Sequence, residues 1–337
     1  MTTPSSMTTP SSMQAAIPET IGGAFKVVSV ATPEPAAGQV LVRIAASGVN
    51  PLDLKIHAGE APHARQALPA ILGMDLAGVV EDVGRGVTAF RCGDEVYGMT
   101  GGVGGVPGSL AGFAAVDADL LALKPANLSM REAAALPLVF ITAWEGLVDR
   151  AGITPAQKVL IQGGAGGVGH IAVQIARALG ATVFATGSRR DAAHIERLGA
   201  TPIERDIAVE TYVADHTAGI GFDIVYDTVG GAVLDASFKA VRRFGHVVSC
   251  LGWGSHSLAP LSFRAASYSG VFTLLPLLTG EGRTHHGGIM REATRLAEAG
   301  RIVPKLDQRR FTLETAGDAY RAMEARNAEG KLVVDIA

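Results

Sequence analysis

The stretch Lys158-Val-Leu-Ile161, Gln162, Gly163-Gly-Ala-Gly-Gly-Val-Gly169 decides how this 337-residue chain folds. Its first four residues read as a buried strand, and Gly164, Gly166 and Gly169 satisfy the spacing G-x-G-x-x-G. Val168, Ile171, Ala172, Ile175 and Leu179 then fall on one face of a helix. In such a strand-loop-helix unit the glycines provide a tight turn out of the strand, a bare backbone against a pyrophosphate, and close packing of helix on sheet. The helix N-terminus adds N–H donors and the positive end of its dipole. The stretch therefore predicts a dinucleotide-binding unit. The glycine-rich residues 101–108 lack such a setting and predict a plain loop.

Downstream, the pattern alternates: strand 182–185, helix to 198, strand 222–226, helix to 241, strand 247–251. Strict alternation predicts parallel βαβ units. Upstream, short Val-rich or alternating segments at 40–49, 76–83 and 95–98 make the first part β-rich. A helical stretch then runs over 129–150, opened by the capping box Ser129-x-x-Glu132 and interrupted at Pro137. Beyond 251 come a loop, an apolar strand-like run near 271–278, helices near 287–299 and 313–325, and a strand at 332–336.

The second strand of the unit decides which dinucleotide is bound, because an acidic residue at its end would hold the ribose hydroxyls of NAD. Here it ends Phe184-Ala-Thr-Gly-Ser188-Arg189-Arg190. A hydroxyl and two guanidiniums replace the carboxylate, a donor set suited to a 2′-phosphate. NADPH is expected over NADH, with Ser188 and Arg189 as the principal contacts. The alternative is that both arginines open a solvated helix capped by Asp191.

Composition narrows the function. With 48% hydrophobic and 18% charged residues the chain is too apolar for disorder, and its net charge of −3 is not gathered into blocks. No footprint for nucleic acid or an anionic membrane results, and no apolar run reaches the roughly 18 residues of a spanning helix. Small molecules are the expected partners. Cys92 and Cys250 are too few for a disulfide framework and fit a reducing cytoplasm, although one bridge between them stays open. The hexapeptide 1–6 repeats at 7–12. It has neither a basic start nor an apolar block, so residues 1–13 are expected as a disordered tail and not a signal peptide.

Separated motifs, in order, carry a resemblance: Ser47-Gly-Val-Asn50-Pro-Leu-Asp53, Gly73-Met-Asp75-Leu-Ala-Gly78, Gly93-Asp94-Glu-Val96, Ile141-Thr142-Ala-Trp144, the Gly163–Gly169 loop, Tyr226-Asp227-Thr-Val-Gly230 and Gly330-Lys331. From about residue 14 to the end, the chain resembles a zinc-independent medium-chain dehydrogenase/reductase of the quinone oxidoreductase (zeta-crystallin-like) branch. The resemblance implies an α/β protein with a GroES-like substrate domain at 14–133 and 273–337 and a Rossmann NADPH-binding domain at 134–272. The active site would lie in the cleft between them. It also implies a homodimer, with Rossmann edge strands pairing near 271–278.

Alcohol dehydrogenases of this superfamily bind catalytic zinc through a cysteine after Ser-Gly-x and a histidine in Gly-His-Glu. The matching places here hold Asn50 and Met74, and two cysteines cannot build a four-thiolate structural site. A metal-free site is expected. Without a Lewis acid, alcohol oxidation is difficult, and hydride delivery to a quinone or to the β-carbon of an α,β-unsaturated carbonyl compound is the easier reaction.

Asn50 and Lys55 are the candidate catalytic donors. The segment Asn50-Pro-x-Asp-x-Lys55 resembles plant-type alkenal and enone reductases, where quinone oxidoreductases commonly carry Asn-x-x-Asp-x-Tyr. Lys55 as an exposed strand-end lysine and Asp53 as an Asx turn are the structural alternatives. By the same resemblance, the cofactor contacts are Asn50, Thr142, Gly164, Gly166, Gly167, Val168, Asp227, Leu251, Gly252, Trp253, Phe272 and Lys331, the last reaching toward phosphates. Thr142 as a mid-helix back-bonder, Phe272 as core and Trp253 as a loop aromatic remain open. Against the reductase stands one alternative, a non-catalytic NADPH-binding or redox-sensing protein on the same fold.

Overall fold

The computed structural model describes residues 9–336. The chain forms two compact units, one made of residues up to Leu138, Leu274–Thr294 and residues from Pro304 on, the other of Val139–Thr273 and Arg295–Val303. The sequence reading leaves residues 295–303 with the substrate domain.

In the first unit, β1 (Ser12–Pro18) and β2 (Phe25–Ala31) pair antiparallel from Ser12 against Ala31 to Pro18 against Phe25. Strand structure therefore begins inside the expected tail, because Met13 is buried and its Sδ accepts the Phe113 N–H at 3.2 Å. Residues 1–8 of that expectation lie outside the described residues. The main sheet contains β3 (Gln39–Gly48), β4 (Asp75–Val83), β5 (Glu95–Met99), β6 (Phe113–Asp117) and β7 (Leu121–Leu123). Its order is the C-terminal strand Val333–Asp335, then β3, β4, β5 and β7, with β6 also on β3, and every pairing is antiparallel. Val40, Val42, Ile44, Leu76, Val80, Val96 and Val116 fill its core, the inward set that strand alternation selects.

The second unit is a six-stranded parallel sheet of β8 (Lys158–Gln162), β9 (Thr182–Gly187), β10 (Thr201–Glu204), β11 (Phe222–Asp227), β12 (Val241–Ser249) and β13 (Ser267–Gly270), in the order β10-β9-β8-β11-β12-β13. The direction of progression reverses between β8 and β11. At such a switch point the loops leaving the two strands splay apart and open a crevice at their carboxyl ends. The Gly163–Gly169 loop and the Asp227–Gly230 loop leave those two ends. The molecule is an α/β protein with a GroES-like β-rich unit and a Rossmann-type parallel sheet.

Three departures from the sequence reading have physical causes. Strand β10 and the helix Val209–Thr217 escaped it because β10 is four residues long, contains Pro202 and buries only Ile203. Strand β12 starts at Val241, well before 247, and continues through a bulge where Phe244 takes φ +59°. The apolar run at 271–278 is no strand: Leu275–Thr279 is a short helix with proline in its first turn, a residue that suits a helix start and cannot donate to a sheet ladder. The edge strand is β13 instead. Among the described residues no helix is long and apolar enough to cross a membrane, and both cysteines are free.

Candidate functional site

The glycine loop divides its tasks differently from the motif's simplest reading. The left-handed turn out of β8 belongs to Gly163, with φ +76°, one residue before the motif begins. Gly164 packs against β9, where a Cβ would stand 2.5 Å from the Ala185 side chain. Gly169 packs the Gly167–Ala178 helix onto the loop, where a Cβ would meet Gly163 O at 2.1 Å. Gly166, the helix N-cap, is the least crowded, with only Gly163 O at 3.2 Å. A side chain there would need only a small shift of Gly163 O, and the bare backbone at the helix N-terminus gives the loop the form of an anion cradle, with Gly167 and Val168 forming the first turn. Thr186, absent from the sequence reading, fastens this cradle: its Oγ1 accepts from Gly163 N at 2.9 Å and its carbonyl from Gly164 N at 2.8 Å.

At the end of β9, Ser188 Oγ and Ser188 N both donate to Asp191 Oδ2, at 2.6 and 2.9 Å. Ser188 is thus the N-cap of the short Arg189–Asp191 turn and Asp191 its capping-box partner, which differs from the alternative of a helix capped by Asp191, and Ser188 and the arginines still sit at the strand end. Arg189 is paired with Glu204 at the end of β10, and Arg190, also exposed, has no ion pair among the described residues. The donor set fits a 2′-phosphate, with Arg190 the guanidinium without a competing carboxylate.

Around the switch point the expected cofactor contacts separate into holders and presented groups. Asp227 is buried, and its carboxylate accepts from Val229 N, Gly230 N and Ser249 Oγ at 2.7–3.2 Å. It shapes the loop after β11 and is not presented outward. Thr142 is nearly buried, shares a 3.1 Å hydroxyl contact with Thr273, and its carbonyl accepts from Tyr226 Oη at 2.7 Å. Burial pushes the Tyr226 hydroxyl well above its usual range and the neighbouring Cys250 thiol up to about 12, so neither ionises readily. Beyond β12, Leu251 is half-buried, Gly252 exposed, and Trp253 meets Phe272 edge-on with ring centroids 6.5 Å apart. Trp253 is 56% and Phe272 37% exposed, so Phe272 is not core.

In the first unit the segment Asn50–Lys55 forms a helix, Pro51–His57, with Asn50 as its N-cap. Proline at its first position and the Asp53 carboxylate, accepting from Asn50 N at 2.8 Å, are local reasons for the helix to start there. Asn50 is completely buried. Its Nδ2 donates to Asp75 Oδ2 at 2.9 Å and its Oδ1 accepts from Lys331 Nζ. Lys331 also donates to Val49 O at 3.0 Å and is itself buried, which corrects the expectation that it reaches phosphates: its ammonium is consumed inside the unit by Val49, Asn50 and the charge of Asp75. Asn50, for the same reason, holds structure and is not a presented donor. Lys55 is exposed and makes no hydrogen bond through its side chain among the described residues.

Burial pushes the Asp53 carboxyl up to about 7 and that of Asp75 up to about 6, while Lys331 and the hydrogen bonds from Asn50 pull both back. Burial likewise lowers Lys331, against the attraction of Asp75 and Asp53. The sequence reading quotes Asp75 within the Gly73–Gly78 motif and gives it no role. Among the described residues no group of three or more His, Cys, Asp or Glu side chains is placed to hold a metal ion.

Comparison with known proteins agrees with this layout. Residues 36–126 match the family described as alcohol dehydrogenase GroES-like domain, and residues 198–334 that described as zinc-binding dehydrogenase. The chain is 36% identical over 315 residues to a 2-methylene-furan-3-one reductase of Solanum lycopersicum, covering 91% of this chain and 74% of that protein. It is 33% identical, with the same coverage, to an NADPH-dependent alkenal/one oxidoreductase of Arabidopsis thaliana. A crystal structure of an alcohol dehydrogenase superfamily protein from Novosphingobium aromaticivorans superposes with a TM-score of 0.95 at 60% identity, covering 96% of this chain and all of that one. With both its units and its ordered motifs accounted for, the chain belongs to the medium-chain dehydrogenase/reductase family of oxidoreductases, in its quinone- and enone-reductase-like branch.

Proposed function

We propose that this protein is an NADPH-dependent, metal-free reductase of the activated double bond of α,β-unsaturated carbonyl compounds, with quinones as the second acceptor class. The observation that carries the reading is the helix Pro51–His57, which presents the ammonium of Lys55 from the Asn-Pro-x-Asp-x-Lys segment while every polar atom used to start the helix is turned inward. Relatives at 36% and 33% identity are named for reduction of a methylene-furanone and of alkenals and enones, which favours alkene over quinone reduction.

Bound NADPH would supply the hydride. The Gly164–Val168 cradle would hold its pyrophosphate, and Ser188 with Arg189 and Arg190 its 2′-phosphate. Hydride addition at the β-carbon would shift the alkene electron pair into the bond between the α-carbon and the carbonyl carbon and the carbonyl π pair onto oxygen, and the resulting enolate would take a proton from solvent at the α-carbon. Lys55 is the group suited to hold the oxygen as its negative charge grows, in place of a metal. Trp253 and Phe272 offer an apolar face for a planar conjugated substrate or for the nicotinamide. Asn50 and Met74, at the places matching zinc ligands, cannot provide a thiolate and an imidazole.

Loss of nicotinamide absorbance by chelator-treated protein tests the proposal, with NADPH or NADH against an enone, an alkenal and a quinone. Preferential NADPH consumption with the enone or alkenal is expected. Tight NADPH binding without reduction of any acceptor would favour the non-catalytic alternative.

A further inference from the structure

Four buried polar side chains from three distant parts of the sequence meet at the start of the Pro51–His57 helix: Asn50, Asp53, Asp75 and Lys331. The Asn50 side chain bridges two charges, its oxygen facing the Lys331 ammonium and its nitrogen facing the Asp75 carboxylate. Only one orientation of the amide satisfies both. Turned over, it would set N–H against ammonium and C=O against carboxylate, exchanging two charge-assisted hydrogen bonds for two repulsions.

The ammonium itself is rigidly placed. Lys331 N donates to Lys305 O at 2.8 Å, and Lys331 O accepts from Asp307 N at 3.0 Å, so its backbone is pinned on both sides to residues 305–307. Gly330 brings the chain in so closely that a Cβ there would lie 2.6 Å from Lys305 O. Asp75 is equally fixed, lying in β4 with its second oxygen accepting from Leu138 N at 2.9 Å. Between these two anchors the Asn50 side chain is held at both ends, which fixes the position of the residue from which the helix starts, while Pro51 and the Asp53 carboxylate make the start itself. Lys55 lies just over one turn further along that helix, and its carbonyl accepts the Glu60 N–H at 2.7 Å.

We infer that Lys331 is a positioning residue: acting through Asn50, its ammonium sets the N-terminal turn of the Pro51–His57 helix and thereby the placement of Lys55. The functional consequence rests on the proposed role of Lys55 in the reductase reading. The structural consequence does not.

Two variants test it. Lys331→Met keeps most of the aliphatic stem of the side chain but removes the charge, leaving the Asn50 amide free to turn and Asp75 without a counter-charge. Lys331→Met/Asp75→Asn removes the stranded carboxylate as well. Hydrogen exchange over residues 51–58 and steady-state kinetics with NADPH and an enone are measured on both.

Lys331→Met is expected to exchange at least about tenfold faster over 51–58 and to lose about tenfold to a hundredfold in kcat, the scale of a small misplacement of a reacting group. KM for NADPH should stay unchanged, because the glycine loop and Ser188 belong to the other compact unit. The double variant is expected to regain thermal stability without regaining kcat or the protection of 51–58. Full recovery in the double variant would overturn the inference, since the ammonium would then serve only to balance Asp75. Wild-type exchange and kcat in Lys331→Met would overturn it too. Should the single variant not fold, the double variant decides alone. If the wild-type protein reduces no enone, the reductase reading fails, and the exchange data still judge the role of Lys331.

Discussion

Glu204 holds Arg189 by two hydrogen bonds, accepting from Nε at 3.0 Å and from Nη2 at 3.4 Å. The guanidinium that the sequence assigns to a 2′-phosphate is already paired with a carboxylate on the adjacent strand, so phosphate must compete for it. Glu204→Gln is therefore expected to tighten NADPH about two- to fivefold and leave NADH unchanged. The effect is small because the Arg189 side chain is 86% exposed, and it should shrink in high salt. Arg190→Ala should weaken NADPH more than Arg189→Ala. Fluorescence titration with both nucleotides is the measurement, and an unaltered NADPH-to-NADH ratio in Glu204→Gln would count against competition.

The crowding around the glycines separates binding from folding. Gly166→Ala meets only one atom, at 3.2 Å, and should change stability by no more than about 0.5 kcal/mol while weakening NADPH at least about tenfold. Gly169→Ala forces a Cβ to 2.1 Å from Gly163 O and should cost about 1–3 kcal/mol of stability. Thermal unfolding beside nucleotide titration distinguishes the two. Equal loss of stability in both variants would show that Gly166 is a packing glycine.

Lys55→Ala removes an exposed side chain with no hydrogen bond among the described residues, so unfolding should be unaffected. If Lys55 holds the developing negative charge, kcat for enone reduction falls about a hundredfold with little change in KM for NADPH. An unchanged kcat would return Lys55 to the status of a surface lysine.

The buried carboxyls predict a pH dependence of stability. Asp53 titrates near 7 and Asp75 near 6 in the folded chain, against an ordinary 3.8, so between pH 4 and 7 the folded protein binds protons that the unfolded chain has released. Their contribution is fully present below pH 3.8 and is lost as pH rises through 6 to 7. One oxygen of Asp53 is buried without a hydrogen-bond partner among the described residues, a further reason for the charged form to be disfavoured. The stability of Asp53→Asn relative to wild type should therefore rise across this window and level off above it. Melting temperatures of the two proteins from pH 4 to 8 provide the test, and a constant difference would contradict the assignment.

Removing metal should change nothing. Dialysis against a chelator is expected to leave reductase activity intact, and elemental analysis to find zinc well below one per chain. Activity that vanishes and returns with zinc would refute the metal-free reading despite Asn50 and Met74.

The sequence by itself determined whatever depends on neighbours along the chain. The glycine loop was legible because its requirements fall within seven residues and a strand and helix adjoin it. The Ser129–Glu132 capping box is equally local, and the strands β3, β4, β5, β8, β9 and β11 are long enough for their apolar pattern to exceed chance, whereas the seven-residue helix from Pro51 was not read. Strands β10 and β13, at four residues each, are not. The helix in 275–279 was announced by Pro276 but masked by its apolar neighbours.

Only the tertiary structure decided what the polar side chains do. Lys331 and Asn50 are 281 residues apart, and Arg189 and Glu204 meet because β9 and β10 are adjacent, so no spacing rule joins either pair. Hydrogen bonds and burial act through space. They turned Asn50 and Lys331 inward, where the desolvation of the ammonium is offset by the charge of Asp75 and the bonds to Val49 and Asn50, and left Lys55, just over one turn along the helix, exposed.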